Sequence, residues 1–135
     1  MLNKIWEVEK KFNEQDVMSF SKLTGDNNQI HIDEEYAKKS YFGRRVVHGM
    51  LVASLFSRIF GNVFPGEGSI YLKQELKFIA PVFIGDIILA SVKLEKFNSE
   101  KLDGTFDCWC VNQDGEKTIL GSAIVRFPDS MLLKV

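Results

Sequence analysis

Apolar and polar residues alternate along four stretches in the second half of the chain, which is typical of β-strands with one buried face. The stretches read SIYLKQELKF, DIILASVKLEKF, TFDCWCVN and KTILGSAIVRF. Residues that favour turns separate them, namely Pro81, Gly85-Asp86, the run from Asn98 to Gly104, and Asp114-Gly115. We therefore predict four consecutive strands with hairpin-like connections, which together form an antiparallel sheet.

The first half of the chain predicts one strand followed by short helices. The segment IWEVEKKF alternates well enough to form a strand. Asn13 can cap a short helix in which Asp16 stands three residues later, and Gly25 suits the left-handed residue that ends it. Asp33 can cap a second short helix, which has acidic residues in its first turn and lysines in its last, as the helix dipole favours.

The segment VVHGMLVASLFSRIFG predicts a third helix that is apolar almost all the way round and should be buried on most sides. A buried helix beside one large antiparallel sheet indicates an α+β fold in which the sheet curls around the helix. No linker or repeat divides the sequence, so we predict that residues 1–135 form one domain. Because such a sheet has exposed edges, we expect a homodimer in which the edges pair.

Charge and composition exclude several classes of function. Seventeen basic and eighteen acidic side chains leave a net charge of −1, so no strong field attracts nucleic acid. The N-terminus has no apolar core of signal-peptide length, and the apolar region from Val46 to Phe64 is too polar to span a membrane. We therefore expect a cytoplasmic protein that binds neither nucleic acid nor membrane.

Cys108 and Cys110 lie two residues apart on a predicted strand and should point to the same face, which is too constrained for a comfortable disulfide. We interpret them as reduced thiols in the core of a cytosolic protein. The two histidines and two cysteines of the chain lack further ligands at suitable spacing, so we predict no metal site.

The stretch TGDNNQIHID looks too irregular for a helix or a strand, and it places Asp26 and His31 five residues apart. A carboxylate and an imidazole held close together can act as base and acid around one bound water. No nucleophile motif or cysteine lies nearby in the sequence, which favours addition or removal of water over acyl transfer. The alternative is an Asx-type turn beside a hydrogen-bonded histidine, with no catalytic role.

Two residues of the third predicted helix could serve the same chemistry. Gly49 lies near the helix start, where unpaired backbone N–H groups could stabilise an enolate-like charge on a thioester, or it only permits a tight entry. Ser57, eight residues later, could orient a catalytic carboxylate or bond back to its own helix.

Other polar residues near this helix have less specific roles. We expect His48 to pack or to cap rather than to catalyse. Three cationic side chains could meet cofactor phosphates or remain solvated, namely Arg44, Arg45 and Lys73.

Several blocks of the sequence resemble the MaoC-like, (R)-specific enoyl-CoA hydratases. The blocks are GDNNQIHID, Ala37, Phe42-Gly43, VVHGM, SLFS and FPGEGSIYLKQELKFIAPVFIGD, in matching order over most of the chain. The resemblance implies the hot-dog fold, in which an antiparallel sheet wraps a long central helix, commonly in a homodimer. It is nearest to the hydratases that supply polyhydroxyalkanoate synthesis.

The resemblance also implies roles for individual residues. Asp26 and His31 would hold the water that adds across a trans-2-enoyl thioester to give an (R)-3-hydroxyacyl thioester. The N–H of Gly49 would polarise the thioester carbonyl, and Asn28 and Ser57 would support the catalytic pair. Coenzyme A would be part of the substrate, an acyl-CoA thioester, and no separate cofactor is implied.

One position departs from the family pattern, because Gln29 stands where the family usually has proline. Proline fixes φ and lacks an N–H, so we expect Gln29 to loosen the loop. Since Asp26 and His31 are intact, we expect activity to be retained.

Three other functions remain open on the sequence alone. The same chemistry could run as dehydration of 3-hydroxyacyl groups on an acyl carrier protein. A hot-dog thioesterase would need a catalytic carboxylate on the helix, and no Asp or Glu occurs between Met50 and Ile59. A protein without catalytic activity, either a module that binds acyl thioesters or a dimeric structural unit, would be favoured if Gln29 disordered the loop.

Overall fold

The structure is a computed structural model that describes residues 1–134. Its strands are β1 (Ile5–Lys11), β2 (Ile70–Phe78), β3 (Ile87–Asn98), β4 (Asp103–Val111) and β5 (Lys117–Arg126). Its helices are α1 (Glu14–Thr24), α2 (Gln29–Ile32), α3 (Glu34–Lys38) and α4 (Gly49–Arg58). The chain continues from α4 into a π-helical turn, Ile59–Val63, and a 3-10 helix spans Asp129–Lys134.

The five strands form one antiparallel sheet in the order β1-β3-β4-β5-β2, which confirms the predicted sheet. Hairpins join β3 to β4 and β4 to β5. The predicted hairpin between β2 and β3 is wrong, because β2 pairs with β5 and β3 pairs with β1. The connection between them runs past the start of α4, where the Val47 N–H donates to the Val82 carbonyl at 2.7 Å.

Helix α4 and the sheet share one hydrophobic core. The buried residues of α4 are Val52, Ala53, Leu55 and Phe56. The expectation that this helix is buried on most sides is wrong for one face, because Met50 is 60% exposed and Ser54 and Ser57 also reach the surface. These three residues lie three and four positions apart and therefore form one exposed stripe.

The caps predicted for the short helices are confirmed. The Asn13 side chain accepts from the Asp16 N–H at 2.9 Å, and the Asp16 carboxylate accepts from the Asn13 N–H at 3.0 Å, which is a capping box. Gly25 ends α1 with φ at 81°, and Asp33 caps α3 by accepting from the Tyr36 N–H. The end of α1 therefore fixes the chain one residue before Asp26.

The structure also bears on the predictions about the two cysteines and about a membrane-spanning segment. Cys108 and Cys110 are free, buried thiols, as predicted. Burial raises the pKa of each thiol to about 12, so both remain protonated near neutral pH. Within residues 1–134, no helix is both long enough and apolar enough to cross a bilayer.

Candidate active site

Asp26 and His31 line one cavity of about 540 Å³ at the start of α4. Gly49 and Met50 of α4 form part of its wall, and residues 78–82 at the end of β2 form another part. The remaining lining residues are Tyr41, Phe42, Val46, His48 and Ile119. The structure thus brings the predicted acid–base pair and the predicted carbonyl-binding glycine into a single space.

The segment that carries the acid–base pair is more regular than predicted, because His31 lies in the one-turn helix α2. The Asn28 side chain caps this helix by accepting from the Ile30 N–H at 3.2 Å. The Asn28 N–H also donates to Asp26 Oδ1 at 3.4 Å. Asn28 therefore supports both members of the pair, one through its backbone and the other through the cap.

Gln29 is the first residue of α2, and the helix forms despite the missing proline. Proline is favoured at the first position of a helix because the N–H there has no intrahelical partner in any case. Asn28 has φ at −55° and ψ at 127°, a conformation that suits the residue before a proline. The local backbone is therefore compatible with either residue.

We predict that Gln29→Pro raises the free energy of unfolding by about 0.4–1 kcal/mol, because proline restricts the unfolded chain at a position that needs no N–H. Urea unfolding would measure the change. Ile30→Pro is the matched control, since it removes the N–H that donates to the Asn28 side chain and should destabilise the protein. A Gln29→Pro variant that unfolds at lower urea than the wild type would contradict this interpretation.

His31 is held by the segment that precedes α4. Its Nδ1 lies 2.8 Å from the Val46 carbonyl oxygen. Because a carbonyl only accepts, Nδ1 carries the proton of this hydrogen bond. In the neutral ring the lone pair is therefore on Nε2, which remains for proton exchange with a water or a substrate.

His48 contacts both members of the pair, which sequence reasoning missed. Its ring is 2% exposed and stacks on the His31 ring, with 3.8 Å between centroids. Its Nε2 lies 3.0 Å from Ser21 Oγ and 3.3 Å from the Asp26 carbonyl oxygen. Burial, and then the charge on His31, lower the pKa of His48. The lowered pKa favours the neutral ring. His48 is thus a packed histidine, as predicted: it stacks on His31 and contacts the Asp26 backbone, and it does not cap α4 through its side chain.

Asp26, His31 and His48 each place one potential metal ligand within 4.8 Å of the other two, a grouping that sequence spacing did not reveal. Imidazole lone pairs lie in the ring planes, and the two stacked rings are tilted by only 26°. Their lone pairs therefore lie in two nearly parallel planes, with 3.8 Å between the ring centroids, whereas a metal ion needs them to converge on one point at about 2.0–2.1 Å. This geometry fits an ion poorly, and the expectation of no metal site stays a prediction.

Gly49 begins α4, where the first backbone N–H groups have no intrahelical partners. His48, the residue before it, makes no side-chain hydrogen bond to this turn, so its N–H groups can meet a substrate oxygen. A Cβ on Gly49 would lie 2.6 Å from the Phe78 ring. Any larger residue at position 49 would therefore have to displace the Phe78 ring, so it is the small size of glycine, and not a left-handed φ, that suits this part of the cavity wall.

Ser57 is not brought to the pair. It is exposed on α4 and lines a second groove of about 340 Å³ between α4 and β2. Among residues 1–134 no hydrogen bond joins Ser57 to Asp26. Its supporting role therefore stays a prediction that no contact within this chain carries.

Arg44 and Arg45 have different surroundings. The Arg44 guanidinium lies 3.8 Å from the centre of the Phe83 ring on the surface. Arg45 is only 9% exposed and pairs with Glu14. The suggestion that Arg45 meets cofactor phosphates is therefore wrong, because its guanidinium is already used inside the protein.

Comparison with known proteins identifies the family that most of the chain matches. The MaoC-like domain family matches residues 5–107. The chain is 40% identical over 121 residues to the (R)-specific enoyl-CoA hydratase of Aeromonas caviae, covering 90% of each protein. It is 44% identical over 126 residues to the mitochondrial 3-hydroxyacyl-[acyl-carrier-protein] dehydratase of Arabidopsis thaliana, covering 91% of this chain and 75% of that protein.

The fold agrees with a solved structure as well. The (R)-hydratase from A. caviae that is involved in PHA biosynthesis superposes with a TM-score of 0.92 at 38% identity, covering 95% of this chain and 97% of that one. This match confirms the hot-dog fold that the sequence blocks implied. Its sequence blocks, its fold and these matches together show that the chain belongs to the MaoC-like domain family.

Proposed function

We propose that this protein is an (R)-specific enoyl-CoA hydratase, a hydro-lyase that adds water reversibly to trans-2-enoyl-CoA and gives (R)-3-hydroxyacyl-CoA. The observation that carries the proposal is the meeting of Asp26, His31 and the first turn of α4 in one cavity. Similarity to the A. caviae hydratase over 90% of the chain supports it. Coenzyme A enters as part of the substrate.

The cavity can serve each part of this reaction. The thioester carbonyl would accept a hydrogen bond from the Gly49 N–H, where the enolate-like charge develops. Asp26 and His31 would hold the water between them. One of the two residues takes a proton from the water while the water oxygen bonds to the β carbon, and the other residue delivers a proton to the α carbon. Both parts of the water molecule are thereby added to the double bond.

The direct test uses crotonyl-CoA and a longer enoyl-CoA with the wild-type protein. Loss of the conjugated enoyl thioester reports hydration, and chiral analysis reports the hand of the product. We expect turnover to the (R)-3-hydroxyacyl thioester. An (S) product, or no turnover of either chain length, would reject the proposal.

The A. thaliana relative, at 44% identity, favours a second candidate function. This is dehydration of 3-hydroxyacyl groups carried on an acyl carrier protein, with the same two residues and the reverse direction. The ratio of kcat/KM for crotonyl-CoA and for crotonyl-acyl carrier protein separates the two. A markedly higher value on the carrier protein would make the dehydratase the better assignment.

We propose further that the protein is a homodimer joined through β2. This strand lies at an edge of the sheet. Its large apolar side chains are exposed to solvent, by 53% for Ile70, 44% for Leu72 and 51% for Phe78. Exposed apolar edges favour pairing with a second copy. Light scattering after size exclusion should give twice the chain mass of 15.4 kDa, and a protein that elutes at 15.4 kDa at micromolar concentration would contradict the dimer.

A cytoplasmic location and a contribution to polyhydroxyalkanoate synthesis complete the proposal. The two free thiols of β4 are compatible with a reducing compartment. Similarity to an A. caviae hydratase involved in PHA biosynthesis supports the pathway.

A further inference from the structure

Arg45 is a buried cation next to the site, and stability alone does not explain it. Its Nε donates to the His31 carbonyl at 2.7 Å, and its Nη1 donates to Glu14 Oε1 at 2.8 Å. Its Nη2 lies 3.6 Å from the Met18 sulfur. Removing a guanidinium from water costs free energy, and apolar residues of similar volume often stabilise a protein as well. The contact with His31 suggests a reason for this arginine.

The helix that carries His31 depends on external contacts. Helix α2 has four residues, and a helix that short does not form by its own propensity. The Val46 N–H donates to the Ile30 carbonyl at 3.2 Å, and the Val46 carbonyl accepts from His31 Nδ1. Arg45 adds a third bond, to the carbonyl of His31 itself. Residues 45–46 therefore hold both the backbone and the ring of His31.

Glu14 fixes the other end of the guanidinium. It lies in the first turn of α1, and its side chain is 68% exposed, whereas that of Arg45 is 9% exposed. The carboxylate and the His31 carbonyl take different nitrogens of one planar group, so the orientation of one contact sets that of the other. An exposed carboxylate outside the cavity therefore helps to place His31.

We propose that Arg45 is a positioning residue for His31 and that Glu14 holds Arg45 in place. In kinetic terms this inference rests on the proposed hydratase function. Displacement of a catalytic group by about 1 Å can lower a rate by about 10²-fold. Loss of the Arg45 contact should therefore lower kcat while leaving substrate binding nearly unchanged.

The test compares Arg45→Lys and Glu14→Ala with Asp103→Ala, which breaks an Arg–Asp pair elsewhere. Asp103 binds Arg126 at 2.8 Å, and Arg126 lies seven residues along β5 from Ile119 in the cavity wall. Arg45→Lys should lower kcat on crotonyl-CoA by about 10- to 100-fold with KM changed less than about threefold, and Glu14→Ala should lower it less. Asp103→Ala should retain kcat.

Chemical rescue separates positioning from a general loss of stability. Millimolar methylguanidinium should restore part of the kcat of Arg45→Ala, because it can occupy the place of the guanidinium, while methylammonium should not. If Arg45→Ala does not fold, Arg45→Lys and Glu14→Ala decide, since the first keeps the charge and the second changes an exposed residue. Folded Arg45→Lys and Glu14→Ala variants with kcat within about twofold of wild type would overturn the proposal.

A readout that needs no turnover keeps this inference distinct from the hydratase proposal. The His31 Nδ1 proton donates to Val46 and should exchange slowly with solvent in an NMR experiment. Its exchange should accelerate in Arg45→Lys and Glu14→Ala but not in Asp103→Ala. If wild-type protein hydrates no enoyl-CoA, the function fails while this signal still tests the positioning role. Unchanged exchange in both variants would overturn it.

Discussion

Replacement of Asp26 by asparagine is expected to lower kcat for hydration of crotonyl-CoA by about 10²–10⁴-fold while the protein stays folded. Asparagine has the same shape, and its side-chain oxygen can still accept the Asn28 N–H that Asp26 Oδ1 accepts. Asp26 contacts the His48 side chain through its own backbone carbonyl, which the substitution leaves unchanged. The variant therefore loses the ability to exchange a proton and keeps the local structure.

Steady-state kinetics would measure the kcat of Asp26→Asn, and circular dichroism would show whether the variant stays folded. Asp33→Asn is the matched control, because Asp33 lies in the same segment and caps α3 through its side chain, a role that asparagine also fills. The control should keep kcat within about twofold. An Asp26→Asn variant that retains more than about a tenth of the wild-type kcat would remove Asp26 from the chemistry.

Gly121→Ala is expected to lower the free energy of unfolding by about 3 kcal/mol or more. Gly121 lies within β5, opposite Leu76 of β2 and Cys108 of β4. A Cβ at this position would lie 2.0 Å from the Glu75 carbonyl oxygen. This oxygen belongs to the backbone of the neighbouring strand, so relief requires a shift of β2 rather than a side-chain rotation.

Urea unfolding of Gly121→Ala beside Gly61→Ala would test this expectation. Within residues 1–134, a Cβ on Gly61 would meet no heavy atom closer than 4 Å outside its own helix, and the φ of Gly61 is not left-handed. Its substitution should therefore leave stability equal or slightly higher. If both variants unfold at the same urea concentration, the close approach of the two strands at Gly121 is not a constraint on the fold.

Local patterns in the sequence were sufficient for most of the fold. Alternation marked all five strands, and the caps at Asn13, Gly25 and Asp33 depend only on residues within one turn. The pairing of β2 was not predictable in the same way. It depends on where the connection to β3 passes the start of α4, and that contact joins Val47 to Val82 across a long stretch of chain.

The candidate site likewise combines residues that are close in the sequence, which could be predicted, with residues that are distant in it, which could not. Asp26, Asn28 and His31 lie within six residues of one another, so their spacing was informative. His48 meets Asp26 across 22 residues, and Arg45 meets His31 across 14. Neither separation corresponds to a motif, and the burial of Arg45 has no local signal, so its suggested place at a phosphate was wrong.

Phe78 belongs to two surfaces at once. It ends the edge strand β2, and its ring lies beside Gly49 in the cavity wall. If β2 pairs with a second copy, the same side chain contributes to the subunit interface and to the cavity wall. The two equilibria are then thermodynamically linked: association changes substrate affinity by the same factor by which substrate changes subunit association. Any such coupling would show as a substrate affinity that differs above and below the dimer Kd.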